Sequence, residues 1–246
     1  MVPRKRIAAN SQRLRGQTAL ITGATRGIGV AIARALADEG CHLILTARDE
    51  KSLDKVRREL GSAKVFTHYC DVRDPHSVDD LFRVIRREFK RIDILINNAG
   101  IAHANLAVDQ IPYPVWRDVF ATNVDGTFLI TQAALGLMKR AGTIVNNLSI
   151  AATRVFAGSA AYNASKHAAL GLTNTLRAEL RSKGIRVIGL MPGATDTDIW
   201  KTLWPQAPRK KMMSAETVAR MVVEAILLPS NATVENLEIL PSVGSL

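Results

Sequence analysis

Thr22-Gly23-Ala24-Thr25-Arg26-Gly27-Ile28-Gly29 follows an apolar run of strand length and opens a helical pattern. Glycines allow the backbone to turn sharply and to approach a pyrophosphate closely, while the N-terminus of a helix offers unpaired N–H groups and a partial positive charge. The spacing is G-x-x-x-G-x-G, and methyltransferases can also use a glycine-rich turn after the first strand. This stretch therefore predicts a strand, a phosphate-binding turn and a helix, and it leaves the ligand open.

Strand and helix patterns alternate along most of the chain. We predict strands at residues 18–22, 42–46, 64–69, 92–96, 143–148 and 186–191, and helices at 27–39, 50–60, 76–89, 114–139 and 161–182. Buried strands separated by crossover helices are typical of a parallel sheet with helices on both faces. The fold class that follows is α/β, a Rossmann-type doubly wound parallel sheet in a single domain.

The segment at residues 194–214 breaks this alternation. It contains Pro205 and Pro208 and has no clean hydrophobic period. Long irregular segments in compact domains tend to be lids or binding loops. We therefore divide the chain into a basic N-terminal extension at residues 1–15 and one domain at residues 16–246, with a substrate lid at 194–214.

The chain is strongly basic, with a formal net charge of +11 over 246 residues. Its lysines and arginines cluster, for example at residues 55–58 and 83–91, at helical spacing opposite apolar positions, which is typical of solvated helix faces. No helix-turn-helix, zinc or aromatic-interleaved pattern accompanies these clusters. We therefore expect no nucleic-acid partner.

Nothing in the sequence indicates a membrane protein. No apolar stretch reaches the roughly 20 residues that span a bilayer, and residues 1–15 lack the apolar core of a secretory signal. Cys41 and Cys70 each lie in an apolar stretch without metal-ligand spacing, which indicates reduced core residues and no metal site. A transit peptide is the alternative for the basic residues 1–15. We expect a cytoplasmic protein without a membrane partner.

Tyr162-Asn163-Ala164-Ser165-Lys166 is the most informative pentapeptide for chemistry. Its spacing places Tyr162 and Lys166 on one helix face, within interaction range. Free tyrosine has a pKa near 10, and a cation about 4 Å away contributes about 4 kcal/mol, enough to lower that pKa by roughly 3. Ser149 lies 13 positions earlier, at the carboxyl end of a predicted strand, where open α/β sheets bind ligands.

The glycine stretch, Asn97-Asn98-Ala99-Gly100 and the Tyr-x-x-x-Lys pattern occur together and in register. In this combination the chain resembles the short-chain dehydrogenase/reductase family from about Gly16 to the C-terminus, and its length and motif layout resemble the 3-oxoacyl-acyl-carrier-protein reductases of that family. The resemblance implies an NADP(H)-dependent oxidoreductase acting on CH–OH and C=O groups. It implies a catalytic set of Asn123, Ser149, Tyr162 and Lys166, with a buried structural amide as the alternative for Asn123.

The resemblance also implies which residues contact the cofactor. Asp71 would contact the adenine, and a helix-capping or turn aspartate is the alternative for it. Pro192 and Gly193 would close the nicotinamide side. The full expected set is Gly23, Thr25, Arg26, Gly27, Ile28, Gly29, Arg48, Asp71, Val72, Asn98, Ala99, Gly100, Tyr162, Lys166, Pro192, Gly193, Thr195 and Thr197.

Thr46-Ala47-Arg48, after the second strand, bears on the choice between NAD and NADP. Enzymes that use NAD place Asp or Glu about 20 residues past the glycines, where it accepts from the ribose hydroxyls. Arg48 instead suits a 2′-phosphate, and Arg26 resembles the family's other phosphate-binding residue. Asp49 is better explained as a helix N-cap. We therefore expect NADP(H).

Substrate contacts are expected after Ser149 and in the lid, at Ala151, Phe156, Trp200 and Trp204. Packing of the lid or an oligomer interface would equally explain the lid aromatics. We expect a small-molecule or acyl-thioester carbonyl substrate. The alternatives are a dehydrogenase of a hydroxy acid, sugar or polyol, and a non-catalytic dinucleotide-sensing protein on the same fold. The resemblance further implies a homo-oligomer, either a tetramer or a dimer.

Overall fold

The computed structural model of the protein describes residues 12–61 and 63–244. Its strands are β1 (Thr18–Thr22), β2 (His42–Ala47), β3 (Val65–Tyr69), β4 (Ile92–Asn97), β5 (Met138–Asn147), β6 (Arg186–Pro192) and β7 (Asn236–Ile239). They form one sheet in the order β3-β2-β1-β4-β5-β6-β7, and every neighbouring pair is parallel. The direction of winding reverses between β1 and β4, which opens a crevice at the carboxyl ends of these strands, where such sheets bind ligands.

Helices cover both faces of the sheet. They are α1 (Gly27–Asp38), α2 (Glu50–Glu59), α3 (Pro75–Glu88), α4 (Tyr113–Phe120), α5 (Gly126–Leu135), α6 (Ala160–Leu180), α7 (Trp200–Leu203) and α8 (Ala215–Ile226). Ala19 and Ile21 of β1 pack in one core with α1, α2 and α8, whereas Leu20 packs in the other with α3, α5 and α6. Strands buried on both faces are continuously apolar, as observed here. The predicted α/β doubly wound fold is confirmed.

The predicted helical region at residues 114–139 was wrong at its C-terminal end. It continues from α4 through a π-helical turn at Ala121–Asp125 into α5, but it ends at Leu135, and Met138 already begins β5. The apolar residues around position 138 fit a helix and a buried strand equally well, and hydrophobic periodicity alone did not separate the two. Met138 already pairs with Ile92 of β4, and the register of β5 then shifts before Thr143 pairs with Ile94.

Packing at the N-terminus begins before residue 16. Leu14 is buried and belongs to the core of α1 and α8, and Arg13 forms ion pairs with Glu39 at 2.6 Å and Glu224 at 3.1 Å. The basic residues Arg4, Lys5 and Arg6 of the proposed extension lie outside the described residues. The end of this segment thus attaches to the body through the buried side chain of Leu14 and the two ion pairs of Arg13.

The basic clusters lie on exposed helix faces. Arg57 of α2 is paired with Asp54 at 3.0 Å, and Arg83 of α3 with Asp80 at 2.8 Å, in each case within one helical turn. This is the arrangement of solvated helix surfaces. Among the described residues, no helix is long and apolar enough to cross a bilayer, and no three His, Cys, Asp or Glu side chains gather as metal ligands would.

Candidate active site

The glycine stretch forms a tight turn between β1 and α1. Gly23 and Gly27 adopt φ values of 62° and 55°, in the left-handed region that favours glycine. A Cβ on Gly29 would overlap the carbonyl oxygen of Gly23 and the side-chain amide of Asn98. The first N–H groups of α1, which begins at Gly27, have no partners within the helix and suit a phosphate.

Asn98 links the Asn97-Asn98-Ala99-Gly100 motif to this turn. Its side-chain Nδ2 donates to the backbone oxygens of Thr22 and Gly23, each at 3.0 Å. The hydroxyl of Thr22 accepts in return from the backbone N–H groups of Asn98 and Ala99, each at 3.0 Å. The two sequence motifs are therefore one hydrogen-bonded unit at the crevice between β1 and β4.

Ser149, Tyr162, Lys166 and Asn123 come from three parts of the chain and meet beyond the carboxyl end of β5. Tyr162 and Lys166 lie one turn apart at the start of α6, and the Lys166 ammonium is 5.5 Å from the centre of the Tyr162 ring. A Cβ on Gly100 would lie 3.3 Å from Asn123 Oδ1 and 3.7 Å from Lys166 Nζ. The structure thus brings all four predicted catalytic residues to one place.

The Tyr162 hydroxyl keeps its proton in this environment. Burial raises the pKa of Tyr162, and a hydrogen bond with Ser149 lowers it by less. We predicted a lowered pKa for Tyr162, and this was wrong. That prediction considered the nearby Lys166 cation and omitted the loss of water around the phenol. A neutral phenol hydrogen-bonded to a serine hydroxyl is equipped to donate a proton.

Lys166 is fixed in a buried position. Its side chain is 6% exposed, and its ammonium donates to the backbone oxygen of Asn147 at 2.9 Å. Burial lowers the pKa of Lys166 to about 8, since the charged form gives up solvent. The cation is therefore held in one location beside Tyr162.

Asn123 lies within the π-helical turn and is buried. Its Oδ1 accepts from the backbone N–H of Ile101 at 2.9 Å, and its Nδ2 donates to the Ile101 oxygen at 2.9 Å and to Ser165 Oγ at 3.0 Å. These contacts attach the turn to the loop after β4, as a structural amide would. π-helical turns recur at functional sites, and a catalytic role for Asn123 stays a prediction.

Arg26 and Arg48 lie on either side of the junction between the glycine turn and β2. The backbone N–H of Ala24 donates to the oxygen of Thr46 at 3.3 Å, and each arginine is two residues from this bond. Both arginine side chains are exposed. The place where the second strand ends beside the turn is thus positively charged, as expected for a 2′-phosphate site.

The two acids near this end have local partners. Asp49 caps α2 by accepting from the backbone N–H of Lys51 at 3.1 Å, and it also accepts from the Ser52 hydroxyl, so its interpretation as an N-cap is confirmed. Asp71 accepts from the backbone N–H of Arg73 at 3.1 Å and pairs with the Arg73 guanidinium at 2.6 Å. It has the geometry of a turn aspartate, and its adenine contact stays a prediction.

A cavity of about 450 Å³ lies above Ser149, Tyr162 and Lys166. All four residues predicted to bind substrate line it: Ala151, Phe156, Trp200 and Trp204. It is also lined by residues of the expected cofactor set, namely Ile28, Asn98, Gly100, Pro192, Gly193, Thr195 and Thr197. Substrate and nicotinamide residues predicted from separate stretches therefore share one space.

The segment at 194–214 is tied at its two ends. The N–H of Asp196 donates to the oxygen of Met213 at 2.8 Å, and the N–H of Met213 donates to the oxygen of Ala194 at 3.0 Å. Arg209 forms an ion pair with Asp196 across the segment. The segment is therefore an ordered loop over the cavity, with α7 as its regular part.

The sequence matches the short chain dehydrogenase family over residues 17–208. The chain belongs to this family. Sulfoacetaldehyde reductase 2 of Chromohalobacter salexigens is 34% identical over 235 residues, which is 91% of this chain and 93% of that protein. A 3-oxoacyl-acyl-carrier-protein reductase of Vibrio cholerae is 38% identical over 193 residues, which is 77% of this chain and 78% of that protein.

Solved structures of similar proteins agree. The alcohol dehydrogenase of the archaeon Thermococcus sibiricus, in complex with 5-hydroxy-NADP, has a TM-score of 0.86 and 30% identity, covering 92% of this chain and 97% of its own. The 3-ketoacyl-(acyl-carrier-protein) reductase of Brucella melitensis, in complex with NADH, has a TM-score of 0.83 and 27% identity, covering 93% and 98%. The predicted family and fold are confirmed, and this short-chain dehydrogenase is an oxidoreductase.

Asn147 is a site residue of this short-chain dehydrogenase that the sequence analysis missed. Its Nδ2 donates to Asn98 Oδ1 at 2.8 Å while its backbone oxygen holds Lys166. Its own Oδ1 is buried without a partner in the described structure. The sequence did contain a signal for Asn147, because it is a polar residue at the carboxyl end of a buried strand, two positions before Ser149.

Proposed function

We propose that this short-chain dehydrogenase uses NADP(H) to interconvert a ketone and a secondary alcohol, with a small-molecule or acyl-thioester carbonyl compound as substrate. The observation that carries the proposal is the neutral Tyr162 hydroxyl, hydrogen-bonded to Ser149, on the floor of a cavity that expected cofactor residues also line. A pure dinucleotide sensor needs no such proton donor.

The residues present fit a dinucleotide phosphate. The glycine turn is packed so closely against Asn98 that a Cβ on Gly29 would clash with it, which leaves the backbone of the turn as the surface for a phosphate. The unpartnered Asn147 Oδ1 at the cavity is an acceptor suited to a ribose hydroxyl or a carboxamide. We propose that Arg26 and Arg48 hold the 2′-phosphate. When bound, the nicotinamide supplies or accepts the hydride, and the protein orients it.

The protein groups supply the proton and the orientation. Ser149 donates a hydrogen bond to the carbonyl oxygen, and Tyr162 donates its proton to that oxygen as negative charge develops on it. Lys166 lies beside Tyr162 and contributes positive charge to the same region. We propose that Asn123 holds the π-helical turn and, through it, the loop that carries Gly100. Oxidation of the alcohol reverses these steps.

A panel of carbonyl compounds tests the proposed function. We expect the purified protein to oxidise NADPH when an aliphatic ketone, an aryl ketone or a 3-oxoester is added, with one alcohol formed per NADPH consumed. Absorbance of the reduced nicotinamide and chromatography of the alcohol measure the two. The Ser149→Ala variant should keep cofactor binding and lose turnover. Tight NADPH binding without reduction of any compound in the panel would contradict the proposal.

We also propose that the protein is a homo-oligomer, a tetramer or a dimer, formed through α4, α5 and α6. Tyr113 at the start of α4 is 68% exposed and Phe128 of α5 is 46% exposed, and large exposed apolar groups favour an interface. Light scattering at micromolar concentration should give a multiple of 26.8 kDa. A monodisperse monomer would refute this assembly.

We propose that residues 194–214 are the substrate lid of one domain at residues 16–246, because Trp200 and Trp204 line the cavity.

We further propose that the protein works in the cytoplasm. Cys41 and Cys70 are buried free thiols, and burial raises the pKa of these thiols to about 12 and about 11, as suits inert reduced cysteines.

A further inference from the structure

The cavity above Tyr162 contains almost no charge. Among the described residues that line it, Lys166 is the single charged side chain. Its ammonium is buried and already donates to the Asn147 backbone oxygen at 2.9 Å. A carboxylate or sulfonate that entered this space would give up its water without gaining a free cation, which is strongly unfavourable.

Beside polar groups such as Asn105 and Ser159, two stretches of the cavity wall are apolar and partly aromatic. Val155 and Phe156 line it from the loop between β5 and α6, and Trp200, Leu203 and Trp204 line it from the lid. Such walls favour uncharged groups of substantial apolar area.

The aromatic wall is preorganised and reaches the mouth of the cavity. The Trp200 indole N–H donates to the backbone oxygen of Thr195 at 2.8 Å, and its ring meets that of Trp204 edge-on, with 6.5 Å between centroids. Trp204 is nevertheless 42% exposed, and Val155 is 79% exposed. An apolar substituent that extends outwards from the carbonyl would cover both of these side chains.

Cations do occur on the lid, but none of them lines the cavity. Lys201 is paired with Asp198 at 2.7 Å, and Arg209 is paired with Asp196. None of these four residues lines the cavity. An anionic substrate would therefore find no lid cation at the depth of Tyr162.

We infer that the substrate is a carbonyl compound whose carbonyl is flanked by uncharged apolar groups, one of them an aryl or extended alkyl group that lies against Trp200 and Trp204. This inference rests on the proposed function and narrows its substrate class. It separates the protein from reductases of short anionic aldehydes, although the sulfoacetaldehyde reductase of C. salexigens is 34% identical to it.

Matched 3-oxo compounds test the inference. Ethyl acetoacetate and acetoacetate present the same methyl ketone beside a neutral ester or a carboxylate, and in ethyl benzoylacetate a phenyl group replaces the methyl group. We expect kcat/KM with NADPH to be at least about tenfold higher for ethyl acetoacetate than for acetoacetate, and about tenfold higher again for ethyl benzoylacetate. Acetoacetate or sulfoacetaldehyde reduced as efficiently as the neutral esters would overturn the inference.

Variants of the cavity wall test separately how the protein selects the size and the charge of its substrate. Trp204→Ala should raise KM for ethyl benzoylacetate by about tenfold and should change KM for ethyl acetoacetate little. Phe156→Arg should raise acetoacetate reduction relative to the ester, whereas Phe156→Leu should not. Lys210→Ala, on the exposed lid surface, is the control. An unchanged KM for ethyl benzoylacetate in Trp204→Ala would contradict the aromatic contact.

A binding measurement keeps this result apart from the proposed function. Calorimetry with the Tyr162→Phe variant, which keeps the cavity, compares ethyl benzoylacetate with acetoacetate in the presence of NADPH. Tighter binding of the neutral ester supports the inference whether or not the unmodified protein reduces it, and without any reduction the proposed function alone fails. Tighter binding of acetoacetate, or binding of neither, overturns the inference.

Discussion

Replacing Tyr162 with phenylalanine lowers the turnover of a ketone substrate by about 10²–10⁴-fold, the range of general acid–base contributions. Phenylalanine keeps the ring, so that packing against Lys166 persists, with an ammonium 5.5 Å from the ring centre. It removes the hydroxyl that burial keeps protonated and that Ser149 contacts. Steady-state kinetics with NADPH measure the loss, while calorimetry and thermal unfolding should show cofactor affinity and stability close to those of the unmodified protein.

Two further variants define what this loss means. Tyr113→Phe makes the same chemical change at a tyrosine that is 68% exposed, and it should leave turnover unchanged. Lys166→Ala should reduce both turnover and cofactor affinity, because the lysine contributes charge beside Tyr162 and belongs to the expected cofactor set. A Tyr162→Phe variant that kept more than about a tenth of the turnover would exclude a general-acid role on this scale.

Hydrophobic patterns located the first six strands of the sheet, although they missed the start of β5 at Met138. A strand that is buried on both faces has a short apolar run as its sequence. In β1, for example, Ala19, Leu20 and Ile21 all lie in one core or the other. The seventh strand, β7, was not predicted, because Asn236–Ile239 is a four-residue edge strand with exposed positions. The pattern of α8 was available, since Ser214 caps it and apolar residues follow at helical spacing, but the prediction did not extend that far.

The site was predictable where a motif carries its own geometry. Glycine at positions 23, 27 and 29 is dictated by backbone angles and close approach, so the phosphate-binding turn could be recognised from sequence. The hydrogen bonds through which Asn147 links Asn98 to Lys166 could not be recognised from the sequence, because they form only when the ends of β4 and β5 lie side by side. Asn98 and Lys166 are far apart in sequence and share this one residue.

The pKa of Tyr162 shows a second limit of the sequence. Spacing correctly placed Lys166 within reach of the ring, and Coulomb's law then predicted a lowered pKa. Burial, the largest cause in the structure, acts in the opposite direction, and the spacing of residues along α6 does not reveal it. The charge of a neighbour can be predicted from spacing, whereas the loss of solvent requires the whole fold.

Replacing Arg48 with aspartate reverses the cofactor preference from NADP(H) to NAD(H). The change removes a partner of the 2′-phosphate and adds a like charge, while the new carboxylate can accept from free ribose hydroxyls. A charge-assisted hydrogen bond contributes about 1.5–3 kcal/mol, so we expect NADPH affinity to fall by about 10–150-fold and NADH affinity to rise. Calorimetry with both reduced cofactors measures the two dissociation constants.

The structure also supplies the control for this experiment. Arg58→Asp makes the same change in charge on the exposed face of α2, at a distance from the junction of the glycine turn with β2, and it should leave the ratio of the two dissociation constants unchanged. Asp49 already lies next to Arg48, yet it caps α2 through Lys51 and is not free to serve the ribose. Tighter binding of NAD(H) than of NADP(H) by the unmodified protein would contradict the assignment of Arg48 to the phosphate, because the positive charge at this junction would then have no ligand to match.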